Sequence, residues 1–112
     1  MKKVEAIIRS SKFEEVRDAL AQIGVRFFTF KDVKGYGHEP GPKIVYRGST
    51  YDAGFIGRVQ LDILCEDEKV DSIIQTILTS ARTGEIGDGK ISVYPVEEVV
   101  RIRNGERGAQ AL

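Results

Sequence analysis

The stretch from Thr83 to Lys90, TGEIGDGK, carries GxxxxGK between Gly84 and Lys90. That is the spacing with which a P-loop wraps nucleotide phosphates. A hydrolytic P-loop follows a strand, opens a helix and needs Ser or Thr after its lysine to hold magnesium. Here Ile91 follows Lys90, and the surrounding periodicity puts a helix before the stretch and a strand after it. P-loop hydrolysis is therefore excluded. Local anion chemistry survives: Gly84, Gly87 and Gly89 let the backbone turn N–H groups toward an anion, with Lys90 as a point charge beside them. The competing reading is a plain glycine-rich connection from helix to strand.

Further along, Val99-Val100-Arg101-Ile102-Arg103 alternates, and a strand would place Arg101 and Arg103 on one face. Two guanidinium forks there suit phosphate oxygens, which they hold bidentately. Alone, the pair reads more readily as a solvated strand face, and it is the glycine turn ending in Lys90 that favours the anion reading. His38 and Cys65 stand apart, with no second Cys or His at ligand spacing, so no transition-metal site is expected. Cys65 reads as a small strand or core residue.

The elements that must position these residues follow from period. Val4, Ala6 and Ile8 alternate with Glu5, Ile7 and Arg9 in a first strand. Ser11 and Glu14 have capping-box spacing, and Phe13, Val16, Leu20 and Ile23 recur at helical intervals before Gly24. Val25–Val33 and Val59–Cys65 are rich in aromatic and β-branched residues and read as strands. Asp67 can cap a second helix with Val70, Ile73, Ile74, Ile77 and Ala81 on one stripe, and Ile91–Val96 reads as a fourth strand. The order βαββαβ with right-handed crossovers predicts an α+β, ferredoxin-like sandwich: a four-stranded antiparallel sheet with both helices on one face. On its open face Ile7, Phe28, Phe30 and Leu64 are expected, which favours self-association.

Between the second and third strands lies GYGHEPGPKIVYRGSTYDAGFIG, residues 35–57, with six of the twelve glycines and three of the four tyrosines. Connections of this length are usually functional. Within it, Ile44-Val45-Tyr46 suits a short hairpin or a docking segment.

Composition bounds the rest. The 112 residues make one domain, residues 1–112, and Lys plus Arg balance Asp plus Glu at 17 each. No net field draws the chain onto nucleic acid or an anionic membrane. The opening MKKVEAIIRS turns polar too soon for a signal core, no run suits a membrane span, and one cysteine forms no internal disulfide. The chain reads as soluble and cytoplasmic, with no insertion into membranes.

MKKVEAIIR, VKGYG at 33–37, YRGSTY at 46–51, ARTGEIGDGKI at 81–91 and RIRNGE at 101–106 together resemble the PII nitrogen-regulatory signal proteins, over essentially the whole chain. The resemblance implies a homotrimer that is not an enzyme, with ATP or ADP in clefts between subunits, and often 2-oxoglutarate with MgATP. Residues 37–55 would be the T-loop, which docks on targets, and residues 104–112 a C-terminal tail. The family's phosphate-binding positions fall on Gly35, Gly37, Gly87, Gly89 and Lys90, with Arg101 and Arg103 from the neighbouring subunit. Ile7, Thr29 and Leu64 fall where it lines the ribose and adenine pocket. Arg47 matches an arginine that enters the pore of an ammonium transporter. Tyr51 matches the tyrosine modified by a uridylyl- or adenylyltransferase, and Ser49 a phosphorylation position.

Departures cluster at the effector. His38, Glu39 and Pro40 replace the family's Arg, Gln and Lys, and Arg58 replaces its Lys. Glu39 can ligate magnesium through carboxylate oxygen, yet adds negative charge beside phosphates and a dicarboxylate. Arg58 can pair a carboxylate in a different geometry from an ammonium, and His38 anchors phosphate less well than Arg. Glu39, Gly41, Arg58 and Gly87 are the candidate 2-oxoglutarate residues. The expected function is a sensor of ATP and ADP, with or without a 2-oxoglutarate response, that regulates nitrogen metabolism or ammonium transport through partner proteins. The alternatives are a small nucleotide-dependent phosphotransferase or hydrolase, which lacks a general base and a magnesium hydroxyl here, and a ligand-free assembly module.

Overall fold

The computed structural model describes residues 1–36, 43–46, 49–52 and 56–112, and for residues 43–46, 49–52 and 56 the backbone alone. Strand β1, Lys2–Arg9, buries Val4, Ala6 and Ile8 and turns Lys3, Glu5, Ile7 and Arg9 to the other face. It lies at the centre of the sheet, antiparallel to β5 (Ile56–Cys65) on one side and β6 (Lys90–Pro95) on the other. Strand β2, Thr29–Gly35, pairs antiparallel with β5, so the order is β2-β5-β1-β6.

Helix α1, Phe13–Gln22, and α2, Val70–Ala81, cover one face. Val16 and Leu20 of α1 and Ile73, Ile77 and Ala81 of α2 close over Val4, Ala6, Ile8, Val59, Leu61 and Ile63. Each large aliphatic side chain so buried contributes about 1.5–3 kcal/mol. This is the expected ferredoxin-like α+β sandwich.

Gly24 ends α1 as its position suggests. With φ of 90° it lets its own N–H reach the Ala21 carbonyl and the Val25 N–H reach that of Leu20, a Schellman cap. That bond draws Val25 into the helix end, so β2 starts at Thr29 and not at Val25.

Both N-terminal caps differ from expectation. A 3₁₀ turn runs directly into each helix, moving the caps to Lys12 and Lys69, neither of which makes a side-chain cap hydrogen bond. Lysine has no acceptor to offer. Asp67 instead binds the N-terminal ammonium of Met1 at 2.9 Å and Lys2 at 3.6 Å. These contacts hold its carboxyl below the ordinary range, the ammonium hydrogen bond most of all.

The expected open-face cluster divides. Ile7 and Leu64 do lie on the open face, but Phe30 stands opposite the buried Leu61 and therefore on the helix side. There Phe30 meets Phe13 of α1 with ring centroids 4.7 Å apart, and Phe28 meets Phe13 at 6.4 Å. Helix α1 draws both rings toward itself.

The long connection holds the hairpin that Ile44-Val45-Tyr46 suggests. Strand β3, Lys43–Tyr46, pairs antiparallel with β4, Ser49–Asp52. Strand β5 then begins at Ile56, ahead of Val59, because Ile56 pairs with Gly35.

The strand expected through Arg101 and Arg103 is a turn. The Arg101 N–H binds the Glu106 carbonyl at 2.8 Å and the Gly105 N–H binds the Arg101 carbonyl at 2.8 Å, while Val100 bridges to Arg107. Asn104-Gly105 reverses the chain, with Gly105 at φ 74° and the Asn104 side chain accepting from the Glu106 N–H. Arg101 and Arg103 therefore do not share a strand face. Among the described residues no helix is long and apolar enough to cross a membrane.

Candidate anion-binding site

The glycine stretch links α2 to β6 and is tied to β1 at two points. At the first, Gly89 lies so close to the Ile7 carbonyl that any Cβ would overlap it, and its φ of 97° is one that L side chains rarely adopt. Ile7 and Lys90 are register partners, so the end of the turn and its lysine are aligned on β1. At the second, Arg9 reaches into the turn: Nε donates to Asp88 Oδ1 at 3.0 Å and Nη2 to the Ile86 carbonyl at 2.9 Å.

Asp88 is the internal hub. Its Oδ1 also accepts from the Thr83 hydroxyl, and its Oδ2 accepts from the N–H groups of Thr83 and Gly84, each at 2.9 Å. The Thr83 hydroxyl and then the Thr83 N–H, with Arg9 and Gly84 adding to them, hold this carboxyl far below the ordinary carboxylate range. The first half of the turn thus spends the Thr83 and Gly84 N–H groups on Asp88 and that of Glu85 on the Thr83 hydroxyl. An external anion is left with the second half, Gly87 to Lys90.

Position 87 faces two cations. A Cβ there would stand 2.8 Å from Arg58 Nη2 and 3.5 Å from Arg9 Nη2, and Gly87 has φ of 101°. Arg58 gives Nη1 to the Gly57 carbonyl at 2.9 Å. Partial burial and then the like charge of Arg9 lower its pKa, against an opposing pull from Asp88. An anion beside Gly87 would relieve that repulsion. A cleft of ≈ 430 Å³ runs next to the turn, with Ile74, Leu78, Ala81, Lys90 and Ile91 in its walls, a volume within the usual range for small-molecule sites.

The candidate residues fall into two groups within one chain. Ile7, Arg58, Gly87, Gly89 and Lys90 gather at one end of the sheet, toward which Gly35 at the end of β2 also leads. Leu64 pairs with Lys3, and Thr29 with Asp62, toward the other end. The four steps from Lys3 to Ile7 span roughly 13 Å of extended chain. Residues 96–112 leave the sheet on that second side, where the Val96 N–H binds the Met1 carbonyl. Leu112 there shares another ≈ 430 Å³ cleft with Phe27, Leu64 and Cys65. Within this segment Arg101 is held by Glu106, at 2.7 Å from Nη1, and by the Gln110 carbonyl, at 2.8 Å from Nη2.

Gly37, His38, Glu39, Pro40, Gly41 and Arg47 lie outside the described residues, as do the side chains of Ser49 and Tyr51. No group of three or more potential metal-ligating side chains occurs among the described residues. Sequence reasoning passed over Arg9 and the role of Asp88. The two-residue period does place Arg9 on the same face as Ile7, which was the available signal.

A family model described as Nitrogen regulatory protein P-II matches residues 1–106. The chain belongs to the P-II family. A P-II protein from Microchaete diplosiphon is 48% identical over 112 residues, covering all of both chains, and one from Azospirillum brasilense is 46% identical over the same span. A crystal structure of Arabidopsis thaliana PII bound to citrate superposes with a TM-score of 0.82 at 42% identity, covering 99% of this chain and 91% of that one. The family and both of these relatives are named as nitrogen regulatory proteins.

Proposed function

We propose that this P-II chain is a non-catalytic cytoplasmic sensor of ATP and ADP that works as a homotrimer. The observation that carries this reading is the division of the candidate residues between two ends of one sheet. A cleft in which the Gly87–Lys90 end of one subunit meets the Thr29, Leu64 and Arg101 end of the next would unite them, and would set Arg101 and Arg103 opposite Lys90. The turn supplies backbone donors and Lys90 a charge for phosphates, the parts of a binding site.

Arg58 beside Gly87 supports a carboxylate effector, 2-oxoglutarate with MgATP, and Glu39 would enter the magnesium shell. The related Arabidopsis thaliana PII is bound to citrate, which supports a carboxylate ligand of this kind. The β3–β4 hairpin would present Arg47, Ser49 and Tyr51 to an ammonium transporter, to nitrogen-metabolism enzymes or to a modifying nucleotidyltransferase.

Calorimetry with ATP, ADP and MgATP plus 2-oxoglutarate, with light scattering for mass, tests this. Saturable heat with nucleotide at trimer mass is expected. Absence of heat with any nucleotide rejects the sensor, and sustained phosphate release rejects the non-catalytic reading. Glu39→Gln is expected to strengthen 2-oxoglutarate binding in the presence of MgATP.

A further inference from the structure

We infer that Glu98 is a positioning residue, which pins the base of the hairpin carrying Arg101 and Arg103 and so fixes where both guanidinium groups stand, without itself touching the ligand. This rests on the nucleotide reading above. Beyond β6 the chain doubles back between Val99 and Gly108. The stem is short: the Gly108 N–H binds the Val99 carbonyl at 3.0 Å, Val100 bridges to Arg107, and the Arg101 N–H binds the Glu106 carbonyl at 2.8 Å. A hairpin of so few rungs is marginal by itself in water. It also lacks an apolar core of its own, since no residue from 96 to 112 is buried and Ile102 at its tip is fully exposed. Its order must come from polar contacts.

Glu98 supplies them at the base. Its Oε1 accepts from the N–H groups of Val99 and Gly108, each at 3.2 Å, so one oxygen spans both sides of the stem. Its Oε2 lies 3.5 Å from Arg107 Nη1, but those two side chains are 48% and 69% exposed, and an ion pair so wet contributes little. Glu98 therefore holds the stem as an acceptor and not as a charge. Glu106 works at the far end, where it meets the Arg101 side chain and leaves the base of the stem to Glu98. With the base released, the two arginines would share their time among several placements. A binding group that is in place only part of the time lowers the apparent affinity by that fraction.

The test uses full-length wild type and five variants. Glu98→Met keeps the length and removes both acceptors, Glu98→Gln keeps one acceptor oxygen and removes the charge, and Glu97→Ala removes a like charge one residue away. Arg101→Ala and Glu98→Met/Arg101→Ala complete the set. Calorimetric affinity for ATP and ADP, the thermal midpoint, the oligomeric mass and hydrogen exchange at the Arg101 and Gly108 amides are measured on each. Glu98→Met is expected to weaken both nucleotides by about 3- to 10-fold, the worth of roughly one hydrogen bond, and to speed exchange at both amides with midpoint and mass unchanged. Glu98→Gln and Glu97→Ala should each stay within about twofold of wild type, because exposed charge matters little here. Against the Arg101→Ala background the loss from Glu98→Met should shrink, since the two residues act on the ligand together.

Wild-type affinity in Glu98→Met, amides that exchange no faster, or an equal loss in Glu98→Gln overturns the inference. So does a loss that persists in full without Arg101, or one that only tracks a lowered midpoint. If wild type binds neither nucleotide, the sensor reading fails, and amide exchange alone upholds or overturns the pinning of the hairpin by Glu98. If Glu98→Met does not fold, Glu98→Ala decides on the same readouts.

Discussion

Gly89 and the carbonyl oxygen of Ile7 occupy adjoining space so fully that no side-chain carbon fits between them. Gly84, in the same turn, has φ of 88° but nothing within 4 Å of its Cβ position. The two glycines should therefore respond differently to alanine. Gly84→Ala carries only the left-handed backbone penalty, about 1–2 kcal/mol. Gly89→Ala adds a clash with backbone that cannot step aside, for a total of about 2–5 kcal/mol. Denaturant unfolding measures both, and equal losses would refute the close approach to Ile7.

The Asp88 carboxyl should stay ionised well into acid. A depressed carboxyl contributes stability above its unfolded pKa of about 4 and loses it as pH falls through its lower native value. The turn is then expected to hold its shape at pH 4, and carbon-detected titration of Asp88 follows it. Thr83→Ala removes the largest contribution, the hydroxyl hydrogen bond, and should raise the midpoint. A wild-type midpoint near 4 would contradict the hydrogen-bonded hub.

What could be read in advance depended on whether the signal was local. Strand β1, both helices and the Gly24 stop follow from two-residue and helical periods within their own segments. The faces of Phe28 and Phe30 did not, because pairing of Phe30 with Leu61 decides them from another strand. The turn at Asn104-Gly105 carried a local signal, overridden by the alternation around the two arginines. At the site, the glycines and Lys90 were visible from spacing. Arg9 was not, since it meets Asp88 across 79 positions of chain and only the crossover topology joins them.

Cys65 should be an inert thiol. It sits at the end of β5 with 7% of its surface exposed, and burial is the main cause of a pKa raised above the ordinary value. The thiolate, which is the reactive form, is disfavoured in the fold, so stability gained from the neutral thiol is present at low pH and declines only as pH passes the unfolded value. Reaction with an aromatic disulfide reagent at pH 8 is expected to be at least about tenfold slower in native protein than in denaturant. Equal rates would contradict the burial.

Arg101 already has an anionic partner in its own chain. Glu106 lies 2.7 Å from Nη1, and the Gln110 carbonyl 2.8 Å from Nη2, so the guanidinium that would meet a nucleotide phosphate is closed by the C-terminal segment. If phosphate takes Arg101, it must displace Glu106. Partly exposed pairs of this kind are worth up to about 1 kcal/mol, which corresponds to roughly fivefold in affinity. Glu106→Gln keeps the side-chain shape and removes the competing charge, so ADP should bind roughly two- to fivefold more tightly. Raising the salt concentration should shrink the difference between the two proteins, because screening weakens the Glu106 bond only in wild type. Weaker ADP binding by Glu106→Gln would instead mean that Glu106 orients Arg101 for the ligand, and the two-proton fork would then be read as preformed and not as blocked.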